Sequence, residues 1–165
     1  MSEQHGLIKG PMLRLFERIA RWIGLSPNAG PVLAALFIEH YNSGERLCSD
    51  DICQVTGYSR ANAGLIISQL EALGIIDGQR DYDQTGRGRK RVLYTVNGTF
   101  ATIFDIGIIS IQDRLNAMLK DLEAIDHLDS GPKDSFARMM KEIRKSIENW
   151  KEELSIESKD ISLKR

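Results

Sequence analysis

The chain has 165 residues, of which 42% are hydrophobic and 27% charged, and its formal net charge is −1 at pH 7. This length amounts to about one domain on a prior of roughly 150 residues, and such a chain buries a core without a disulfide or a metal. The composition excludes wholesale disorder, which needs low hydrophobicity and high net charge. It also excludes a uniformly basic coat for nucleic acid, so any such contact must come from a local patch.

We expect neither a membrane span nor a secretion signal. The longest strongly apolar stretch, Phe100 to Ile111, is too short to cross a bilayer and contains Asp105. The N-terminus has no apolar run of the signal-peptide type. The two cysteines, Cys48 and Cys53, fit a reducing compartment. The expected location is therefore the cytoplasm.

Two helices are predicted in the first part of the chain. Apolar residues recur at helical spacing between Pro11 and Gly24, and these two residues suit the start and the stop of a helix. Asn28 is the candidate cap of the second helix and places Pro31 in its first turn, where the missing N–H costs nothing. This helix should end at Asn42–Gly44.

A short helix, a tight turn and a longer helix are predicted next. Ser49 is the candidate cap of the short helix, which ends at Gly57. Ser59 is the candidate cap of the longer helix, which ends at Gly74. The apolar stripe of the longer helix consists of Ala63, Ile66, Ile67, Leu70 and Leu73.

The hydrophobic period then changes to that of strands. Ile75 and Ile76 begin one predicted strand, and Arg91 to Val96 form a second, rich in β-branched and aromatic residues. The segment from Asp81 to Arg89 between them contains two glycines, which predicts a hairpin. Five basic residues against Asp81 and Asp83 give this hairpin a local charge of +3. The basic residues are Arg80, Arg87, Arg89, Lys90 and Arg91.

Two long helices with a coiled-coil-like seam are predicted at the end of the chain. The first begins at Asn97–Thr99, runs to about Leu128 and is apolar almost all round near its start. Ser130 to Pro132 turns the chain into the last helix. Because a helix that is apolar on every side needs partners on every side, we expect a homodimer joined through the first helix and these two. The dimerisation candidates are Phe16, Ile19, Phe100, Phe104, Ile108, Ile111, Leu115, Ile143, Ile147 and Trp150.

The order of the elements is that of a winged helix-turn-helix. The predicted fold is mainly α (α+β), with a two-stranded wing and with flanking N-terminal and C-terminal dimerisation helices. The predicted boundaries are 1–27 for the N-terminal arm and helix, 28–97 for the winged helix-turn-helix and 98–165 for the C-terminal helical region.

This order predicts that the helix after Ser59 enters the major groove of double-stranded DNA, where base edges are readable. Its outward face is small and uncharged, consisting of Ala61, Gly64, Leu65, Ser68 and Ala72. Arginine can bridge guanine, asparagine and glutamine can bridge adenine, and leucine suits a thymine methyl. The DNA-binding candidates are Ser59, Arg60, Asn62, Leu65 and Gln69 on the helix, with Arg87, Arg89 and Lys90 on the wing. Two such helices in a dimer would read a rough palindrome with half-sites about 34 Å apart.

Several motifs together resemble the MarR superfamily of winged-helix regulators, in particular its GbsR-type branch. They are Trp22 to Gly30, Asp50-Asp51-Ile52, Gly57 to Asn62, and Leu70 to Ile76, within a resemblance that covers about residues 11 to 125. The resemblance implies a dimeric transcriptional regulator, often a repressor, and some such proteins respond to a small effector such as choline. Pro31 and Ile66 stand where polar residues are usual in that branch.

The runner-up is a winged-helix module that binds protein rather than DNA, and a purely structural coiled-coil scaffold comes third. A small helix face more often indicates helix packing, and a charged hairpin tip is usually only solvated. The absence of a phosphate-binding or nucleophile motif indicates that the chain is not an enzyme. No cofactor is expected, and the separated histidines His5, His40 and His127 predict no metal site.

The two cysteines and a set of five aromatic residues each have two possible interpretations. Cys48 and Cys53 are either small apolar residues or parts of a redox switch, and the first interpretation is favoured because neither has a neighbouring Lys or His in sequence. Five aromatic residues either line a cage for a quaternary amine or belong to the core, and the core is favoured. They are Phe16, Trp22, Phe37, Phe100 and Phe104.

Overall fold

The computed structural model describes residues 10–83, 90–127 and 134–163, with the side chains of residues 135–155 in the last range. The helices in these ranges are α1 (Pro11–Trp22), α2 (Ala29–Asn42), α3 (Ser49–Thr56), α4 (Arg60–Ala72), α5 (Phe100–Asp126) and α6 (Asp134–Leu163). The strands are β1 (Leu47–Cys48), β2 (Ile76–Arg80) and β3 (Val92–Val96). The mainly helical fold and all six predicted helices are confirmed, with α5 ending just before the expected Leu128.

The small sheet contains the predicted two-stranded wing and one further strand that the sequence does not predict. The strand order is β1-β3-β2, and both pairings are antiparallel. The β2–β3 hairpin is the predicted wing, with Ile76 opposite Val96 and Arg80 opposite Val92. β1 adds Leu47 opposite Tyr94 on the other side of β3. A strand of two residues is too short to show a period of two, so its sequence carried no signal.

The chain divides into two compact units, residues 1–107 and 108–165. The core of the first unit includes the fully buried side chains of Leu33, Phe37, Ile52, Leu70 and Ile76. They come from α2, α3, α4 and β2, so the helices of the predicted helix-turn-helix and the wing are packed around one core. This packing fixes the orientation of α4 and leaves its opposite face to solvent.

α1 belongs to this core through two of the residues that the sequence proposes for dimerisation. Phe16 and Ile19 are buried, and the Phe16 ring lies 6.2 Å from that of Phe37 and 6.3 Å from that of Phe100. These two side chains therefore face their own chain, not a partner surface. Periodicity identifies an apolar face but does not say whether its partner is in the same chain.

In the second unit, the C-terminal part of α5 packs against α6. Leu122, Met140 and Ile147 are buried together, and Leu115, Leu119 and Ile125 pack against them. Arg144 on α6 donates to the Asp126 carboxylate of α5 at 2.5 Å. In the described residues, part of the apolar stripe of each of these helices is thus covered by the other helix of the same chain. None of the helices described is long and apolar enough to cross a membrane.

Candidate nucleic-acid interface

The start of α3 is fixed by a reciprocal pair of hydrogen bonds between Cys48 and Asp51. The Cys48 sulfur accepts from the Asp51 N–H, and the Asp51 carboxylate accepts from the Cys48 N–H at 2.9 Å. The cap is therefore Cys48 and not the predicted Ser49, which is the first residue of the helix. Burial, followed by the hydrogen bond to Asp51, raises the pKa of the Cys48 thiol above its ordinary value. A buried thiol with a raised pKa is a poor nucleophile, which favours the structural reading of this cysteine.

The turn between α3 and α4 depends on Gly57. Its φ of 73° lies in the left-handed region that glycine adopts without steric cost. The Tyr58 N–H then donates to the Thr56 hydroxyl at 3.3 Å. Ser59 is the cap of α4 as predicted, because its hydroxyl accepts from the Asn62 N–H at 3.3 Å. The short turn brings the first turn of α4 next to the first turn of α3.

α4 has one buried face and one exposed face, as the sequence predicts. Ala63, Ile66, Ile67 and Leu70 are buried, while the outward face, Ala61, Gly64, Leu65, Ser68 and Ala72, has no charged side chain. Leu65 is 61% exposed, and a Cβ on Gly64 would meet nothing within 4 Å. Gln69 is exposed and Asn62 is half-buried beside this face. The backbone of α4 is therefore accessible to a large flat or grooved partner.

Arg60 stands at the N-terminal end of the outward face. Its Nη2 lies 3.1 Å from Oδ1 of Asp50 on α3, and the two side chains are 82% and 61% exposed. No sequence pattern predicts this pair, since it forms across the turn between two helices. The guanidinium remains largely open to solvent and can still donate to a ligand.

A cleft of about 540 Å³ separates this corner from the wing. Its lining residues are Cys48, Ser49, Asp50, Arg60, Lys90, Arg91, Val92 and Tyr94. We call it the wing cleft. Three of the lining side chains are cationic, and Asp50 is the carboxylate among them. Two of the DNA-binding candidates, Arg60 and Lys90, thus line the same cleft, together with Asp50 and Arg91.

The wing is held against the end of α4 by close packing at Gly78. A Cβ at this position would lie 2.7 Å from Oε1 of Glu71 and 2.9 Å from Cε1 of Tyr94. Arg46, which directly precedes β1, donates to the side chain of Gln79 on β2 at 2.5 Å. Lys90 lies over the ring of Tyr82, with Nζ 4.4 Å from its centroid. The predicted wing residues Arg87 and Arg89 lie outside the described residues.

A crystal structure of a transcriptional regulator is similar to this chain, with a TM-score of 0.56 and 18% identity over 98% of this chain and 99% of that one. The chain has a winged helix-turn-helix fold. At this identity the likeness is one of fold alone.

Two further solved structures match this chain with lower scores. A possible transcriptional regulator from Methanosarcina mazei Go1 has 14% identity and a TM-score of 0.48 over 62% of this chain and 83% of that one. A MepR mutant from S. aureus bound to an oligodeoxyribonucleotide has 17% identity and a TM-score of 0.44 over 90% and 96%. No family model and no curated protein matches the sequence.

The five aromatic residues that the sequence analysis considers as a cage or as core fall into two groups. Phe37 and Phe100 stack with ring centroids 4.6 Å apart, and Phe16 packs against both, so the faces of these rings are occupied by each other. Trp22 and Phe104 are instead 39% and 49% exposed and meet edge to face. The core reading is therefore correct for the first three residues.

The remaining dimerisation candidates on α5 and α6 differ in how far their side chains are exposed. Ile143 and Trp150 on α6 are exposed, Ile108 and Ile111 on α5 are half-buried, and Ile147 is buried. Trp22 donates from its indole N–H to the Phe104 carbonyl at 3.3 Å, and its ring covers Gly107 so closely that no side chain fits there.

In the part of the chain that the structure describes, no group of His, Cys, Asp or Glu could hold a metal ion.

Proposed function

We propose that this chain is a sequence-specific double-stranded DNA-binding regulator of transcription that acts as a homodimer. The single observation that carries the proposal is the outward face of α4. It is exposed, uncharged and built from small side chains, with Arg60 at its N-terminal end and the wing cations beside it. A helix of this kind fits the major groove, because its backbone approaches the base edges without a steric or electrostatic barrier.

In this proposal, base reading comes from the first three turns of α4. Arg60 donates to guanine O6 and N7, and Asn62 and Gln69 bind the N6 and N7 edge of adenine. Leu65, exposed on the same face, contacts a thymine methyl. Ser59 serves mainly as the cap of α4, with its hydroxyl already accepting from Asn62.

Phosphate contacts come from the wing side. Lys90 and Arg91 line the wing cleft next to Arg60. Arg87 and Arg89 directly precede them in the sequence of the predicted hairpin. Cations beside a reading helix bind the sugar-phosphate backbone and set the register of the protein on the duplex. The chain as a whole has a net charge of −1, so this local concentration is what would attract DNA.

A second copy of the chain is the expected partner in solution. Leu15, Trp22 and Phe104 are exposed in the first unit, and Phe136, Ile143 and Trp150 are exposed in the second. Apolar side chains in this number favour burial against another protein surface. A homodimer presents two copies of α4, which suits a pseudo-palindromic operator with half-sites about 34 Å apart.

The resemblance to GbsR-type regulators in the MarR superfamily supports two finer parts of the proposal. The first is repression, in which the bound dimer blocks a promoter that overlaps its operator. The second is response to a small effector. Both are tested together with a reporter gene behind the selected operator, with and without candidate ligands such as choline.

Selection of bound duplexes from a random pool tests DNA binding directly. The parent chain should enrich one motif with rough two-fold symmetry. Ser68→Glu places a carboxylate on the outward face of α4 and should abolish the enrichment. Ser146→Glu makes the same change on an exposed turn of α6 and should leave it intact. If the parent enriches no motif, or both variants behave alike, the protein-binding module becomes the better reading.

A further inference from the structure

Asp50 has a contact that the fold itself does not need. It is the second residue of α3, and the cap of that helix is made by its neighbour Asp51 with Cys48. The Asp50 carboxylate instead forms an ion pair with Arg60, the first residue of α4, with its Oδ1 3.1 Å from Nη2 of the guanidinium. Both side chains are mostly exposed, and exposed ion pairs contribute little to folding. Stability therefore does not explain this pairing.

Charge alone also disfavours a carboxylate at this position. The other charged side chains that line the wing cleft are Arg60, Lys90 and Arg91, all cationic. On a surface that meets phosphates, Asp50 weakens the general attraction for DNA. The helix dipole accounts for a carboxylate in the first turn of α3, where Asp50 lies. It does not account for the contact of this carboxylate with Arg60, which therefore needs another role.

The geometry of the guanidinium supplies such a role. Arginine has a long flexible side chain with five N–H donors fixed in one plane. A carboxylate bound at Nη2 restricts the rotation of this plane, and the remaining donors stay free for a second bidentate partner. It also neutralises the charge that would otherwise draw the arginine to the nearest phosphate.

We propose that Asp50 is a positioning residue that holds the Arg60 guanidinium for a guanine in the major groove, thereby trading general DNA affinity for base preference. This inference rests on the proposed function, because it needs α4 to bind DNA. It concerns how one base pair is chosen and not whether DNA is bound. Asp50 itself contacts no base.

The test uses the full-length protein and the duplex that the random pool selects. Dissociation constants are measured for the parent, Asp50→Ala, Arg60→Ala and the double variant. The ligands are the selected duplex, duplexes with the guanine of each half-site replaced, and an unrelated duplex. Asp83→Ala is the matched control, since it removes the same charge from an exposed residue of the wing.

The parent should discriminate against the replaced guanine by about tenfold, the order expected for one bidentate arginine. Asp50→Ala should reduce this ratio below about threefold, while binding to the unrelated duplex tightens by about twofold at low salt. The double variant should show the same base preference as Arg60→Ala alone, because Asp50 acts through Arg60. Asp83→Ala should tighten general binding and leave the base preference unchanged.

The inference is overturned if Asp50→Ala tightens binding to all duplexes and keeps the base preference of the parent, since Asp50 is then only a counter-charge. It is also overturned if Asp50→Ala changes the preference equally in the presence and absence of Arg60. Thermal unfolding of each variant checks the fold. Asp50→Asn retains an acceptor oxygen and should give an intermediate ratio, so it carries the test if Asp50→Ala is unfolded. A parent that enriches no motif contradicts the proposed function itself, which is a separate result.

Discussion

Gly30 of α2 lies directly against the backbone of Glu17 in α1. A Cβ at position 30 would stand 2.8 Å from the Glu17 nitrogen and 2.9 Å from its Cα, closer than real Cβ atoms come. The two helices can therefore pack at this distance only because residue 30 has no side chain. Since backbone cannot move aside as a flexible side chain does, the contact is a sensitive test of the α1–α2 packing.

Gly30→Ala should lower the free energy of unfolding by about 1–3 kcal/mol, through overpacking between α1 and α2. Gly64→Ala is the matched control in another helix, where a Cβ meets nothing within 4 Å. It should raise stability by about 1 kcal/mol, because alanine has the higher helix propensity. Urea unfolding of both variants gives the two values. Equal effects of the same sign would contradict the described packing of α1 on α2.

Ser59→Ala should lower stability by about 1 kcal/mol, because the Asn62 N–H loses its acceptor at the start of α4. Ser68→Ala, on the exposed face of the same helix, caps nothing and should leave stability unchanged or slightly higher. Chemical denaturation at one pH and salt concentration is sufficient. A Ser59→Ala variant as stable as the parent would show that water replaces the serine hydroxyl at no cost.

The helix cap at Ser59 and two contacts between distant segments show which features the sequence can predict and which it cannot. The cap at Ser59 depends on residues within one turn of it, so its pattern is local and was predicted. The pairing of Leu47 with Tyr94 and of Asp50 with Arg60 depends on how distant segments meet. Neither leaves a periodic signal, and both were found only in the structure.

The self-association of the chain is open to a paired test on α6. The parent should sediment as a dimer at micromolar concentration. Trp150 is 60% exposed, and Trp150→Glu should shift the protein toward monomer, because a buried apolar contact is replaced by a charge. Asn149→Glu introduces the same charge at the neighbouring exposed residue and should remain dimeric. A parent that sediments as a monomer would remove the basis for a palindromic operator.

The wing is expected to supply salt-sensitive, sequence-independent affinity. Lys90→Ala should weaken binding to all duplexes and reduce the slope of log K against log salt by about 0.9, the value for one phosphate contact. The same is expected for Arg87→Ala and Arg89→Ala. Lys141→Ala on the exposed side of α6 is the control and should leave the slope unchanged. An unchanged slope in the wing variants would indicate that these cations are only solvated.

Stability should fall at high pH. The pKa values of Cys48, Tyr58 and Tyr94 are raised chiefly by burial, so the folded state retains these protons longer than the unfolded state. Their contribution is complete below the ordinary pKa of each group, which is 9.0 for cysteine, and is lost as pH rises toward the folded value. Cys48→Ser cannot ionise in this range and should show a shallower decline in urea unfolding between pH 8 and 10. An identical decline would assign the effect to the tyrosines alone.

The hydrogen bonds at Cys48 also restrict which sequences this position could accept during evolution. The residue must be small enough for a site that is 4% exposed, and it must accept a hydrogen bond from the first turn of α3. Alanine satisfies only the first requirement, and aspartate would bring a buried charge next to Asp51. Serine and threonine satisfy both, so we expect homologous chains to alternate among cysteine, serine and threonine here while the residues of the outward face diverge with their binding partners.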